Sequence, residues 1–268
     1  MLNHNFYKSP HHTSQLIVLL HGFISDSRTF DNHIQHLLMQ SHVLTIDLPG
    51  HGQDTSSYNE VWHFDFITKA LDEVLSNYHD YQIYLCGYSM GGRVALYYAA
   101  NRETLLSGLI LESTTAGIED EVMRQERVQV DHARANVLDI AGIEVFVNDW
   151  EQLPLFMSQQ QLSKELQQQI RQQRLSQNAA NLAKALRDYG TGHMPNLWPL
   201  LPSIKIPTLI LAGEYDEKFV SIAQKMTNLM PKSKCNIISG VGHTIHVEDR
   251  AEFDTIILGF LKEEQNDY

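Results

Sequence analysis

Gly87-Tyr88-Ser89-Met90-Gly91 has the spacing G-x-S-x-G, which presents a serine as a nucleophile. The residues before it, Gln82-Ile83-Tyr84-Leu85-Cys86, read as a buried strand, and Gly92 to Asn101 read as a helix. A serine between the two sits on a tight, strained turn. Small neighbours avoid a clash there, and the turn pushes the hydroxyl out of the sheet.

Such a serine needs a base, and the base needs an orienting acid. In the chain order that goes with this turn the acid comes next and the histidine last. Asp216, in Gly213-Glu214-Tyr215-Asp216, follows the apolar run Leu209-Ile210-Leu211 and is the preferred acid. Glu214 competes, but it lies nearer the strand end and reads as holding the turn. Asp216 could also cap the helix near Val220; the two roles are compatible. The base should follow the last strand, and Ser239-Gly240-Val241-Gly242-His243 does so. Glycine directly before His243 allows close approach to the top of the sheet, so His243 is preferred over the nearby His246. An oxyanion hole needs two backbone N–H groups. Met90 supplies one and Phe23, in His21-Gly22-Phe23 after the first apolar run, supplies the other. His21 itself reads as packing and hydrogen bonding. No His/Cys/Asp/Glu spacing suggests a metal site, and no cofactor is expected.

The elements that position these residues alternate. Apolar runs at 16–20, 43–46, 83–86, 109–111, 208–211 and 236–238 read as strands covered on both faces. Helical patterns fall at 30–39, 64–78, 91–100, 220–230 and 251–261. The alternation predicts an α/β fold with a mostly parallel sheet and helices on both faces. From about Thr115 to Leu200 the rhythm breaks, with helical periodicity over 122–138, 143–150, 161–175 and 178–189. The expected organisation is therefore a core in two parts, 1–114 and 201–268, with a helical lid at 115–200 inserted over the carboxyl ends of the strands.

The bulk composition is that of an ordinary globular protein, 43% hydrophobic and 19% charged over 268 residues. A net charge of −12 argues against nucleic acid and anionic membrane as partners. Two cysteines, Cys86 and Cys235, are too few for a disulfide framework. With no signal-like N-terminus and no apolar run of about 18 residues, a cytoplasmic protein without a membrane span is expected, as monomer or homodimer.

In order and context these signals resemble the α/β-hydrolase fold superfamily over nearly the whole chain. The triad does not set the reaction. Arginine does more to discriminate: Arg93 lies one helical turn beyond Ser89, and Arg127 and Arg174 lie in the lid, where a cation on the inner face could grip a carboxylate. Gly87 to Arg93 resembles the nucleophile region of the 2-succinyl-6-hydroxy-2,4-cyclohexadiene-1-carboxylate synthases of menaquinone biosynthesis. Segments 144–156 and 213–219 also resemble that family, and 190–198 resembles its lid exit. The resemblance implies a lyase that eliminates pyruvate from a tricarboxylate. Ser89, activated by His243 and Asp216, would act as general base, and Arg93, Arg127, Arg174, Tyr88 and Trp150 would bind the substrate. Arg124, one turn from Arg127, leaves the register in that helix open. The alternatives are a serine carboxylesterase, a C–C bond hydrolase, and a binding protein on the same fold.

Overall fold

The computed structural model describes residues 1–266. Seven strands form one sheet: β1 His4–Tyr7, β2 Gln15–Leu20, β3 His42–Ile46, β4 Gln82–Tyr88, β5 Gly108–Glu112, β6 Thr208–Gly213 and β7 Ser233–Ile238. Their spatial order is β1-β3-β2-β4-β5-β6-β7. All neighbours pair in parallel except β1, which runs antiparallel to β3 with His4 opposite Ile46. The helices are α1 Asp31–Leu37, α2 Phe64–Leu75, α3 Met90–Arg102, α4 Glu121–Trp150, α5 Lys164–Leu175, α6 Ala179–Tyr189, α7 Glu217–Leu229, α8 Ile245–Glu248 and α9 Arg250–Asn266.

Strand residues alternate between two cores because successive side chains point to opposite faces. Leu16, Val18 and Leu20 join a cluster with Leu85, Leu111, Ile67, Leu71 and Leu96. Ile17 and Leu19 join one on the opposite face with Cys86, Ile110, Phe253 and Ile257. Burying both faces is what makes these strands read as unbroken apolar runs. Each large apolar side chain so buried contributes about 1.5–3 kcal/mol.

Three long helices, α4 to α6, and a 3₁₀ segment at Pro154–Gln161 lie between β5 and β6 in the chain. They form a small core in which Ala135, Leu138, Phe146 and Val147 of α4 meet Leu182, Ala183 and Leu186 of α6, together with Ile24 from the turn after β2. The long α4 is broken at Gly142, whose φ of 79° and ψ of −179° belong to glycine alone. The two helical patterns read at 122–138 and 143–150 are its two arms. Cys86 and Cys235 are free thiols. Among the described residues no helix is long and apolar enough to cross a membrane.

Candidate active site

The site is built on the turn between β4 and α3. Ser89 has φ 50° and ψ −103°, a left-handed conformation that costs a non-glycine residue on the order of 1–3 kcal/mol. Three hydrogen bonds hold it: Ser89 N donates to the Glu112 carbonyl at 2.8 Å, and the Ser89 carbonyl accepts from Arg93 N at 3.0 Å and Thr114 Oγ1 at 2.8 Å. Gly91 lets this turn pack against β2, since a Cβ there would overlap the Leu20 carbonyl.

His243 reaches Ser89 from the loop after β7, with Nε2 3.1 Å from Ser89 Oγ. Its Nδ1 lies 2.6 Å from Asp216 Oδ2. A carboxylate at Nδ1 fixes the proton there, leaving Nε2 to accept from the serine. Both partners are nearly dry, His243 1% and Asp216 8% exposed. Phe219, Tyr88 and Phe156 close around the imidazole, their ring centroids 4.7, 5.4 and 6.0 Å away. Asp216 also caps α7, accepting from Phe219 N at 3.4 Å. Glu214 instead accepts from Gly240 N at 2.9 Å and ties the two loops together.

His246 does not reach the serine. Its Nδ1 donates to both oxygens of Glu112 at 2.9 Å, and its Nε2 accepts from Thr29 Oγ1 at 3.0 Å. Glu112, wholly buried at the end of β5, also accepts from His246 N at 3.1 Å. It therefore pins the loop that carries His243. His21 is pinned likewise, accepting from Leu48 N at 3.0 Å. Burial lowers its pKa and takes that of His51 down to about 3, so both rings are neutral.

Above Ser89 opens a cavity of about 1550 Å³, lined also by His243, Phe23, Met90, Tyr88 and Trp150. Met90 is the first residue of α3, so its N–H has no partner within the helix. Phe23, in the turn after β2, faces the same space.

Arg93 and Arg127 line this cavity. Arg93 is 7% exposed and donates to the Tyr189 carbonyl at 3.1 Å. Burial, then the charge of Arg127, lowers its pKa to about 10, so it stays a cation at neutral pH. Arg127 donates to Asp131 Oδ1 at 2.9 Å and Thr191 Oγ1 at 2.8 Å. Arg124 instead pairs with Glu121 at the helix surface and does not line the cavity.

Arg174 is not brought to the cavity. It donates to Glu151 at 3.2 Å and Gln159 Oε1 at 2.9 Å, and its guanidinium lies 5.0 Å over the Phe156 ring. It lines a separate pocket of about 40 Å³ with Gln159, Thr244 and His246. From there a polar chain runs inward: Gln159 Nε2 to Thr244 Oγ1 at 3.1 Å, and Thr244 Oγ1 to the Tyr88 hydroxyl at 2.8 Å. Burial raises the Tyr88 pKa, so the phenol stays neutral. Sequence reading missed Arg134, which lines the large cavity. Its place seven residues after Arg127 was the available signal, because two helical turns return to one face.

A sheet of this order, with serine, acid and histidine delivered by turns at its carboxyl edge, defines an α/β hydrolase, and the alpha/beta hydrolase fold family model matches residues 15–250. The solved structure of MenH from S. aureus shares 65% identity, covers 99% of this chain and 100% of its own, and superposes with a TM-score of 0.97. A 2-succinyl-6-hydroxy-2,4-cyclohexadiene-1-carboxylate synthase from Enterobacter sp. (strain 638) is 32% identical over 88% of this chain and 87% of its own length. A Bacillus subtilis (strain 168) protein that carries the same name provisionally is 36% identical over 92% and 90%. The chain belongs to the 2-succinyl-6-hydroxy-2,4-cyclohexadiene-1-carboxylate synthase family of α/β hydrolases.

Proposed function

We propose that this chain eliminates pyruvate from 2-succinyl-5-enolpyruvyl-6-hydroxy-3-cyclohexene-1-carboxylate, giving 2-succinyl-6-hydroxy-2,4-cyclohexadiene-1-carboxylate in menaquinone biosynthesis. The relatives' names support the reaction. The observation that carries the reading is the Asp216–His243–Ser89 chain opening onto a cavity lined by arginine. Ser89 Oγ, its own proton held by His243 Nε2, removes a ring proton next to the succinyl carbonyl. The electron pair moves onto that carbonyl oxygen, where the Phe23 and Met90 amides stabilise the charge. Collapse forms the second ring double bond and breaks the C–O bond to the enolpyruvyl group, which leaves as the enolate and takes a proton to become pyruvate. No acyl-enzyme forms.

Arg93 and Arg127 bind substrate carboxylates against Tyr88 and Trp150. Arg174 supports Tyr88 through Gln159 and Thr244, and stands behind Phe156 as a further cation. Residues 115–200 serve as the lid on a core made of 1–114 and 201–268. The protein works in the cytoplasm as a monomer or homodimer. The same serine and amides would suit an esterase, but a neutral ester gives the arginines nothing to bind. Pyruvate release from the enolpyruvyl substrate, followed beside a neutral p-nitrophenyl ester, separates the two. Rapid pyruvate release with diene absorbance and slow ester cleavage is expected; the reverse ranking overturns the lyase reading.

A further inference from the structure

The arginines at the cavity differ in whether their charge is already met. Arg127 faces Asp131, which is wholly buried and also accepts from Gly192 N at 3.0 Å. Outside the cavity, Arg174 and Arg171 share Glu151. Among the described residues the Arg93 guanidinium donates to the Tyr189 carbonyl and makes no ion pair. Arg134 has less still: among the described residues its guanidinium makes no ion pair and donates no side-chain hydrogen bond, and it lies 5.3 Å over the face of Trp150.

That stack fixes a planar group with its donor edge free. The Trp150 Nε1 is buried with no hydrogen-bond partner among the described residues. Along α4, Arg127 and Arg134 are two turns apart, so they share a face with about 10 Å between them along the axis. The two can therefore hold groups at opposite ends of one substrate. Apart from Asp216 of the triad, the acidic residues of the cavity wall, Glu119, Asp120 and Glu126, lie just before or in the first turns of this helix, and Glu119 pairs with Lys225. Burial, then the charge of Arg127, depresses the Arg134 pKa, and the charge of Asp131 offsets this only in part.

We propose that Arg134 binds a carboxylate of the substrate, and that Arg93, Arg127 and Arg134 are the three cations that meet the tricarboxylate. This rests on the lyase reading for the identity of the substrate, but the anion site can be tested without turnover. Arg134→Met keeps an apolar stem against Trp150 and removes the charge; Arg134→Lys keeps the charge and loses the fork. In the pyruvate assay Arg134→Met should raise KM roughly 10- to 100-fold, with the loss carried by KM rather than kcat, and Arg134→Lys should recover part of it. Tryptophan fluorescence, with Trp150 and Trp198 both at the cavity, supplies the second readout. In Ser89→Ala protein, titration with 2-succinylbenzoate, the dehydrated aromatic form of the product with its ring and succinyl carboxylates, should change the emission; adding Arg134→Met weakens the apparent affinity by a similar factor where Arg134 holds one of those two carboxylates, and raises KM alone where it holds the enolpyruvyl one. An unchanged KM and an unchanged titration in Arg134→Met overturn the proposal, as does a loss confined to kcat. If the unsubstituted enzyme releases no pyruvate while the titration still depends on Arg134, the lyase reading fails and the carboxylate site stands.

Discussion

At the sheet edge, Ser89, Asp216 and His243 are placed by backbone: strand ends, a left-handed turn and glycine contacts that admit no side chain. In the cover formed by α4 to α6, the charged groups are placed by the far ends of long side chains, as in Arg127–Asp131, Arg174–Gln159 and Arg187–Asp139. The first arrangement has few alternatives, because moving the serine means breaking strand pairing. The second has many, since an arginine can change partner by rotating its own bonds. One region fixes the triad atoms, and the other leaves its charged groups free to exchange partners. The two meet at Asp26, a buried carboxylate in the loop after β2. It accepts from Arg28 of the core at 2.6 Å and from Gln173 and Gln177 of the cover at 3.0 and 2.6 Å.

This contrast can be broken or sharpened. The largest effect belongs to the sheet edge: Ser89→Ala should lower pyruvate release by about 10³-fold or more while leaving the urea midpoint nearly unmoved. Activity near that of the unsubstituted enzyme would move the reaction away from this edge. Next comes Glu112→Gln, which removes the charge that holds His246; a loss of about 3 kcal/mol in urea unfolding is expected. A neutral result would mean that the His243 loop does not need its anchor.

The seam should respond to acid. Burial tends to raise the Asp26 pKa, but hydrogen bonds from Arg28 and Gln173 outweigh it and hold the pKa at about 2, below the usual 3.8. Its stabilisation is present in full above the unfolded value and is lost as pH falls through the folded one. The window therefore runs from about pH 4 to pH 2 and is worth roughly 2 kcal/mol. Asp26→Asn should flatten that part of the stability profile relative to the unsubstituted chain, and parallel profiles would remove Asp26 from the account. The smallest effect is Arg187→Ala on the outer face of the cover, where the pair with Asp139 is about one-third exposed on each side. It should cost under about 1 kcal/mol, and less in high salt.

Ser89, His243 and the alternation of strand and helix were legible because one backbone pattern can satisfy them. The strand β1 was not, because His4-Asn5-Phe6-Tyr7 sits at the sheet edge with a half-exposed face and has no apolar run. The start of α5 was read three residues early: Ser163 caps it by accepting from Leu166 N at 3.2 Å, and the chain before that turns as a 3₁₀ segment. The arginines were legible as a set and not one by one. Residue spacing tells which face of a helix a guanidinium leaves from, but its destination depends on Glu151 and Gln159, which come from other segments.

Arg134 and Trp150 are sixteen residues apart on one helix. On a straight α-helix they would be separated by about 24 Å, yet the guanidinium lies 5.3 Å from the ring. The reversal at Gly142 folds α4 into the two jaws of a caliper. No atom crowds a Cβ at this position, so the bar to any other residue is torsional rather than steric. The closing of the jaws, which sets the Arg134 guanidinium over the Trp150 ring, depends on the backbone angles of a single glycine that does not itself line the cavity.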